Sequence, residues 1–250
     1  MSSEPAPRHR LFVDADLAAD ADLWVTEQQA HYLLHVMRLA VGAEIALFNG
    51  RHGEWRAAIA ETGKKKARLI AIELLRPQAP EPDLWLLFAP VKRARIDLIV
   101  EKATELGVSV LQPVFTERTV MSRVGEDRLA AIAAEAAEQC ERLTVPELRP
   151  PLSLQSVLAK WPEERALLMM DESGAGRPIA EALAALPPGP AALLVGPEGG
   201  FAKSELDGLG RLTFAVRVGL GPRILRADTA VIAALACWQA IRGDWRAPSF

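Results

Sequence analysis

Val195-Gly-Pro-Glu-Gly-Gly-Phe201 and Val218-Gly-Leu-Gly-Pro-Arg-Ile-Leu-Arg-Ala-Asp-Thr-Ala230 are glycine-rich stretches, and each follows a short, largely apolar run, residues 191–195 and 214–218. Short apolar runs bounded by turn residues read as strands covered on both faces. In open α/β sheets, ligands sit outside the carboxyl ends of such strands, where loops offer free backbone groups. Glycine there lets the main chain come close to a flat or charged ligand. One such loop reads as a tight turn. Two of them, carrying Glu198, Arg223 and Arg226, point to a ligand site. Beyond the second, Asp228 or Thr229 is expected to cap a final helix running to about residue 242.

The same alternation extends toward the N-terminus. Residues 84–89, 108–113 and 166–170 are further apolar runs. Between them Ile96, Ile99, Val100, Ala103 and Leu106 repeat at helical spacing, closed by Gly107. Leu129, Ile132, Ala136, Cys140 and Leu143 mark one face of a second helix. Strands alternating with helices predict an α/β domain with a mainly parallel sheet. Ahead of it, Arg76-Pro-Gln-Ala-Pro-Glu-Pro-Asp83 reads as a linker, because proline fixes its own φ and extends the residue before it. Before the linker, strand-like runs at 10–13, 44–48, 54–60 and 67–73 are separated by turn signals such as Asn49-Gly50, with one helix expected over 27–39. A small β-barrel-like domain over 1–78 and an α/β domain over 83–250 follow from this reading.

The 250 residues are half hydrophobic, 24% charged, with a formal net charge of −3. The longest apolar run, Ala230 to Trp238, is far below the ~20 residues of a membrane span, so no membrane association is expected. The start, MSSEPAPRHR, lacks the apolar segment of a secretion signal. Cys140 and Cys237 lie in helix-like apolar patterns and read as free thiols, which with the rest suggests a cytoplasmic protein. Net charge is a poor guide to RNA binding, which uses a local face. Basic residues cluster at Lys64-Lys65-Lys66 with Arg68, at Lys92, Arg93 and Arg95, and at Arg211, Arg217, Arg223 and Arg226. The lysine run is either a solvated hairpin loop or an RNA contact. No dinucleotide fingerprint opens a helix, and Gly199-Gly-Phe-Ala-Lys-Ser204 has the wrong spacing for a phosphate loop. His31 and His35 are four apart on a helix but no third ligand is apparent, so no metal is expected. With Arg38 they form a polar stripe, either solvated or facing RNA.

Taken together these stretches carry a specific resemblance. Arg10-Leu-Phe-Val13, His31 with His35-Val-Met-Arg38, Glu101-Lys-Ala-Thr-Glu-Leu-Gly-Val108, Gln112-Pro with Glu117-Arg118, Glu135-Ala-Ala-Glu-Gln-Cys-Glu-Arg142 with Val145-Pro-Glu, Gly196-Pro-Glu-Gly-Gly200 and Leu220-Gly-Pro-Arg-Ile-Leu-Arg226 with Thr229-Ala230 span nearly the whole chain. In that order the chain resembles the ribosomal RNA small-subunit methyltransferase E family, a group of SPOUT enzymes. One departure is Asp228, where the family usually carries Glu.

The resemblance implies a PUA-like barrel followed by a SPOUT-type α/β domain with a C-terminal trefoil knot, a homodimer, and S-adenosylmethionine as cofactor. The implied activity is methylation of N3 of a uridine in 16S ribosomal RNA on the small subunit. Matched to the family's motifs, Val195, Gly196, Gly199, Gly200, Leu220, Gly221, Ile224 and Leu225 are expected around the cofactor. Arg226, then Arg223, are expected to stabilise the uracil anion; Glu198 either accepts the N3 proton or orients an arginine. His31, His35, Arg38, Lys92, Arg93, Gln139 and Arg142 are the expected RNA contacts, although Gln139 and Arg142, placed at i, i+3, also fit a structural pair. A SPOUT methyltransferase of another base or of a ribose hydroxyl is the alternative within enzymes. A non-enzymatic RNA-binding protein is the alternative outside them, and it leaves both glycine loops idle.

Overall fold

Alternating burial along residues 66–76, with Ala67, Leu69 and Ala71 inward and their neighbours outward, is the pattern of a half-buried strand. It belongs to the first of two units in the computed structural model, which describes residues 5–246, without the side chain of Arg93. This unit takes in the described residues up to Pro80 together with Ala137–Val145. Its elements are β1 (Arg10–Phe12), β2 (Asp22–Trp24), α1 (Glu27–His31), β3 (Glu44–Phe48), β4 (Glu54–Gly63) and β5 (Lys66–Arg76). The sheet runs β1-β3-β4-β5-β2, with β1 parallel to β3 and the remaining pairs antiparallel. Three register shifts between β4 and β5 bend the sheet around a core that includes Leu33, Ile45, Leu47, Ile59 and Leu69.

The helix expected over 27–39 is α-helical only through His31. Thr26 and Gln29 form a reciprocal capping box at its start. A π-helical turn, Tyr32–Val36, follows, and Arg38 ends it in the left-handed region at φ 57°. The wider turn buries Leu33 while His31 and His35 stay exposed.

The second unit comprises Glu81–Ala136 and the chain from Pro146 onward. Its elements are β6 (Leu84–Phe88), α2 (Arg93–Glu105), β7 (Val110–Phe115), α3 (Glu126–Gln139, its last residues counted with the first unit), β8 (Glu147–Leu148), β9 (Leu152–Ser153), α4 (Leu154–Leu158), β10 (Ala166–Met170), β11 (Arg177–Pro178), α5 (Ile179–Ala185), β12 (Ala191–Val195), α6 (Lys203–Leu209), β13 (Ala215–Gly219) and α7 (Ala227–Ile241). The sheet order is β11-β13-β10-β12-β6-β7-β8, with β9 added to β7, and every pairing is parallel. Strands in such a sheet are covered on both faces, which is why Leu86, Leu87, Leu167, Leu168, Leu193 and Leu194 are all fully buried.

Two helix ends differ from the reading of the sequence. Helix α3 stops at Gln139 instead of continuing through Leu143, because Glu141 turns left-handed at φ 61° and Arg10 draws off the terminal carbonyls. Gln139 and Arg142 therefore share no helix face. Helix α7 takes Arg226 as its capping residue instead of Asp228 or Thr229, since the Arg226 carbonyl already accepts from Ala230 N at 2.8 Å. Asp228 sits inside the first turn, where a carboxylate suits the positive end of the helix.

Candidate active site

Strands β13, β10 and β12 are neighbours and parallel, so their carboxyl ends open side by side. Three loops leave those ends: residues 171–176, 196–201 and 220–225. They surround a cavity of about 730 Å³, within the ~300–1,000 Å³ range of small-molecule sites. Of the expected cofactor residues, Val195, Gly196, Gly200, Leu220, Gly221, Ile224 and Leu225 line it. Gly199 does not. It faces Arg118, whose Nη1 donates to the Gly199 carbonyl at 2.9 Å and so holds the loop from outside.

Glycine is needed at several of these places. Gly200 and Gly221 adopt φ of 66° and 96°, and a Cβ on Gly200 would overlap the Glu172 carboxylate. A Cβ on Gly176 would lie 2.6 Å from Gly219 N, so the loop after β10 meets the end of β13 backbone to backbone.

The loop at 171–176 was missed in the sequence, although it obeys the same rule: Gly174 and Gly176 follow the buried run of β10. It supplies Asp171, Glu172 and Ser173 to the cavity wall. Asp171 is almost wholly enclosed and accepts from Ser173 N at 2.9 Å and from Arg217 Nη2 at 2.7 Å. Burial pushes its carboxyl upward, but the Ser173 and Arg217 hydrogen bonds outweigh it and hold the group below its ordinary value. The ion pair thus ties the loop after β10 to β13.

Among the charged residues expected to act, Glu198 lines the cavity and pairs with Arg95 Nη1 of α2 at 3.3 Å. Arg223 also lines it; its side chain is exposed and has no partner among the described residues. Arg226 stands next to the lining residues Leu225 and Ala227, is exposed, and is likewise without a side-chain partner among the described residues. Two residues on, the Asp228 Oδ1 atom is buried without a hydrogen bond.

The expected RNA contacts divide between the units. His31, His35 and Arg38 are exposed in the first, the two imidazoles 5.1 Å apart, and Gln139 is exposed at the end of α3. Arg142 is half-buried, its Nη2 donating to Thr144 Oγ1 at 3.0 Å and its carbonyl accepting from Arg10, which is the structural role. Lys92 is exposed immediately before α2, and the Arg93 side chain lies outside the described residues.

A parallel sheet with a glycine-lined cavity at its carboxyl edge, preceded by a small β-rich unit, defines the class. Family models for an RNA methyltransferase domain and an RNA methyltransferase PUA domain match residues 78–239 and 25–72. The chain is 34% identical to a ribosomal RNA small subunit methyltransferase E of Synechocystis, covering 94% of this chain and 78% of that protein. It is 31% identical to the protein of the same name in Rickettsia conorii, covering 91% and 93%. In structure it is similar to the enzyme of that name from Neisseria gonorrhoeae bound to S-adenosylmethionine, with a TM-score of 0.85, 28% identity and 95% and 99% of the chains covered. This chain belongs to the ribosomal RNA small subunit methyltransferase E family.

Proposed function

We propose that this chain transfers the methyl group of S-adenosylmethionine to N3 of a uridine in 16S ribosomal RNA, acting on the small subunit as a homodimer. The observation that carries this reading is the glycine-lined cavity at the ends of three adjacent parallel strands, with two unpaired arginines at its edge. The residues fit the cofactor: main chain at Val195, Gly196, Gly200, Leu220 and Gly221 can grip it without side chains, and Ile224 and Leu225 add apolar surface. When bound, S-adenosylmethionine supplies an electrophilic methyl group on a sulfonium, so the chemistry requires no metal.

The protein's task is to make the uracil nucleophilic. Its N3 holds a proton, and favouring the anion by one pKa unit takes about 1.4 kcal/mol. A hydrogen bond from a charged donor contributes about 1.5–3 kcal/mol. One arginine at the uracil oxygens therefore lowers the barrier roughly ten- to a hundredfold. Arg226 is assigned this role first and Arg223 second. Glu198 is held by Arg95 at the cavity wall, where it either accepts the N3 proton or orients an arginine. Dimerisation is supported by α7, whose Ile232, Ala233, Ala236 and Cys237 are apolar yet only half-buried. Calorimetry should show S-adenosylmethionine binding, and tritium should pass from it to 16S RNA in unmethylated small subunits. Failure of transfer despite cofactor binding would refute the substrate.

A further inference from the structure

The first unit has a concave site of its own, independent of the cofactor cavity. It is a recess of about 270 Å³ whose walls include Arg8, Tyr32, Met37, Glu138 and Glu141, enough for one planar heterocycle. Its rim is held from below by charge. Arg10 donates to the carbonyls of Ala137, Glu138 and Arg142 at 2.8, 2.9 and 2.6 Å and pairs with Glu54 at 2.6 Å. Glu54 also pairs with Arg76 at 2.7 Å, and Arg76 Nη2 donates to the Glu141 carbonyl. Both side chains of the Arg10–Glu54 pair are nearly sealed from solvent.

This framework keeps Glu141, a residue with a side chain, in the left-handed region at φ 61° beside the recess, and the π-helical turn begins at Tyr32. Such conformations cost about 1–3 kcal/mol each and persist where the surrounding structure enforces them. The second observation concerns charge. Arg8 and Glu141 have opposite charges and line the same small recess, yet neither side chain has a hydrogen-bond or ion-pair partner among the described residues. An exposed carboxylate and an exposed guanidinium lining one recess with an aromatic residue match a ligand that presents donors and an acceptor on one edge of a flat ring.

We infer that this recess binds an unpaired guanine of the RNA substrate. The inference rests on the reading that the chain acts on RNA. Guanine places an N–H and an exocyclic NH₂ side by side, as a carboxylate requires, next to a carbonyl that accepts from arginine. Uracil instead brackets its single N–H with two carbonyls, one of which would face the carboxylate. Adenine lacks both the carbonyl and the second donor. Single-stranded RNA is read in this manner, with the base stacked on an aromatic ring and bonded along its edge. The recess thus recognises a nucleotide other than the uridine being methylated.

The test uses the full chain and uridine hexanucleotides carrying one central guanosine, inosine, adenosine or no replacement, with affinity read by anisotropy at fixed salt. Inosine lacks only the exocyclic amino group. The guanosine oligonucleotide should bind about tenfold tighter than the other three, as a good two-bond base contact allows. Glu141→Gln and Arg8→Ala should each reduce that preference to twofold or less, while calorimetric binding of S-adenosylmethionine stays intact and reports folding. Equal affinity for all four oligonucleotides, or a preference that survives in both variants, would overturn the inference. Should a variant misfold, the guanosine–inosine comparison on the unaltered chain still decides. Tritium transfer to small subunits keeps the two readings separate: transfer without guanosine preference sinks the recess alone, and preference without transfer sinks the methylation alone.

Discussion

The cavity of the second unit and the recess of the first treat the left-handed backbone in opposite ways. Around the cavity, positive φ falls on Gly174, Gly200 and Gly221. In the lining of the recess it falls on Glu141. Glycine removes side chains and lets a ligand meet main chain, which suits a cofactor gripped by backbone. Glutamate in the same conformation keeps its side chain at a backbone cost, which suits a ligand read by side-chain charge. The first design depends on space and the second on a framework of ion pairs.

The sharpest break is Gly200→Val. A β-branched residue at φ 66° is strained, and its Cβ would meet Glu172. Binding of S-adenosylmethionine by calorimetry should fall more than about a hundredfold, the ~3 kcal/mol that such strain and overlap together impose. Retained affinity would mean the cofactor does not approach this loop. Arg10→Ala strikes the other design. It leaves Glu54 and three carbonyls short of a donor, and removing one partner of a buried pair costs about 3–5 kcal/mol. Urea unfolding should show that loss, and a change under 1 kcal/mol would show the framework to be dispensable.

Arg226→Ala should lower turnover and kcat/KM together by about ten- to a hundredfold, with cofactor affinity within a few fold. If cofactor binding disappears instead, Arg226 shapes the loop and its action on uridine loses its support. Acid should act on both units. Asp171 and Glu54 have carboxyls held below their ordinary values of 3.8 and 4.5, so their stabilisation is complete at neutral pH and fades as pH drops through and below those values. Asp171→Asn should flatten the acid limb of the melting temperature below the ordinary carboxyl value of 3.8; an unchanged limb would show that the Arg217 pair is unimportant. The smallest effect is expected from charge reversal at residues 64–66, which are exposed on the β4–β5 turn. RNA binding should weaken a few fold and with a shallower salt dependence, about one counterion per lost phosphate contact.

Much of the second unit was readable because its central strands β6, β10 and β12 are fully apolar and its two best loops concentrate glycine. The loop at 171–176 follows the same logic, with Gly174 and Gly176, and was passed over. Strand β2 is three residues long, too short to alternate visibly, and nothing in residues 27–39 distinguishes a π turn from an α turn. The recess was hidden for a different reason. Arg10 meets carbonyls 127 and more residues away, and Glu198 meets Arg95 across 103. Such pairs arise only once the chain has folded, and no local spacing records them.

The central claim is the atom that receives the methyl group. Small subunits from a strain lacking this protein should be treated with it and S-adenosylmethionine, and the 16S RNA digested to nucleosides for mass spectrometry and mapped by primer extension. One new N3-methyluridine per 16S molecule is expected, with extension halting there because N3 lies on the pairing edge of the base. A methyl group on a ribose hydroxyl or on another base would contradict that claim.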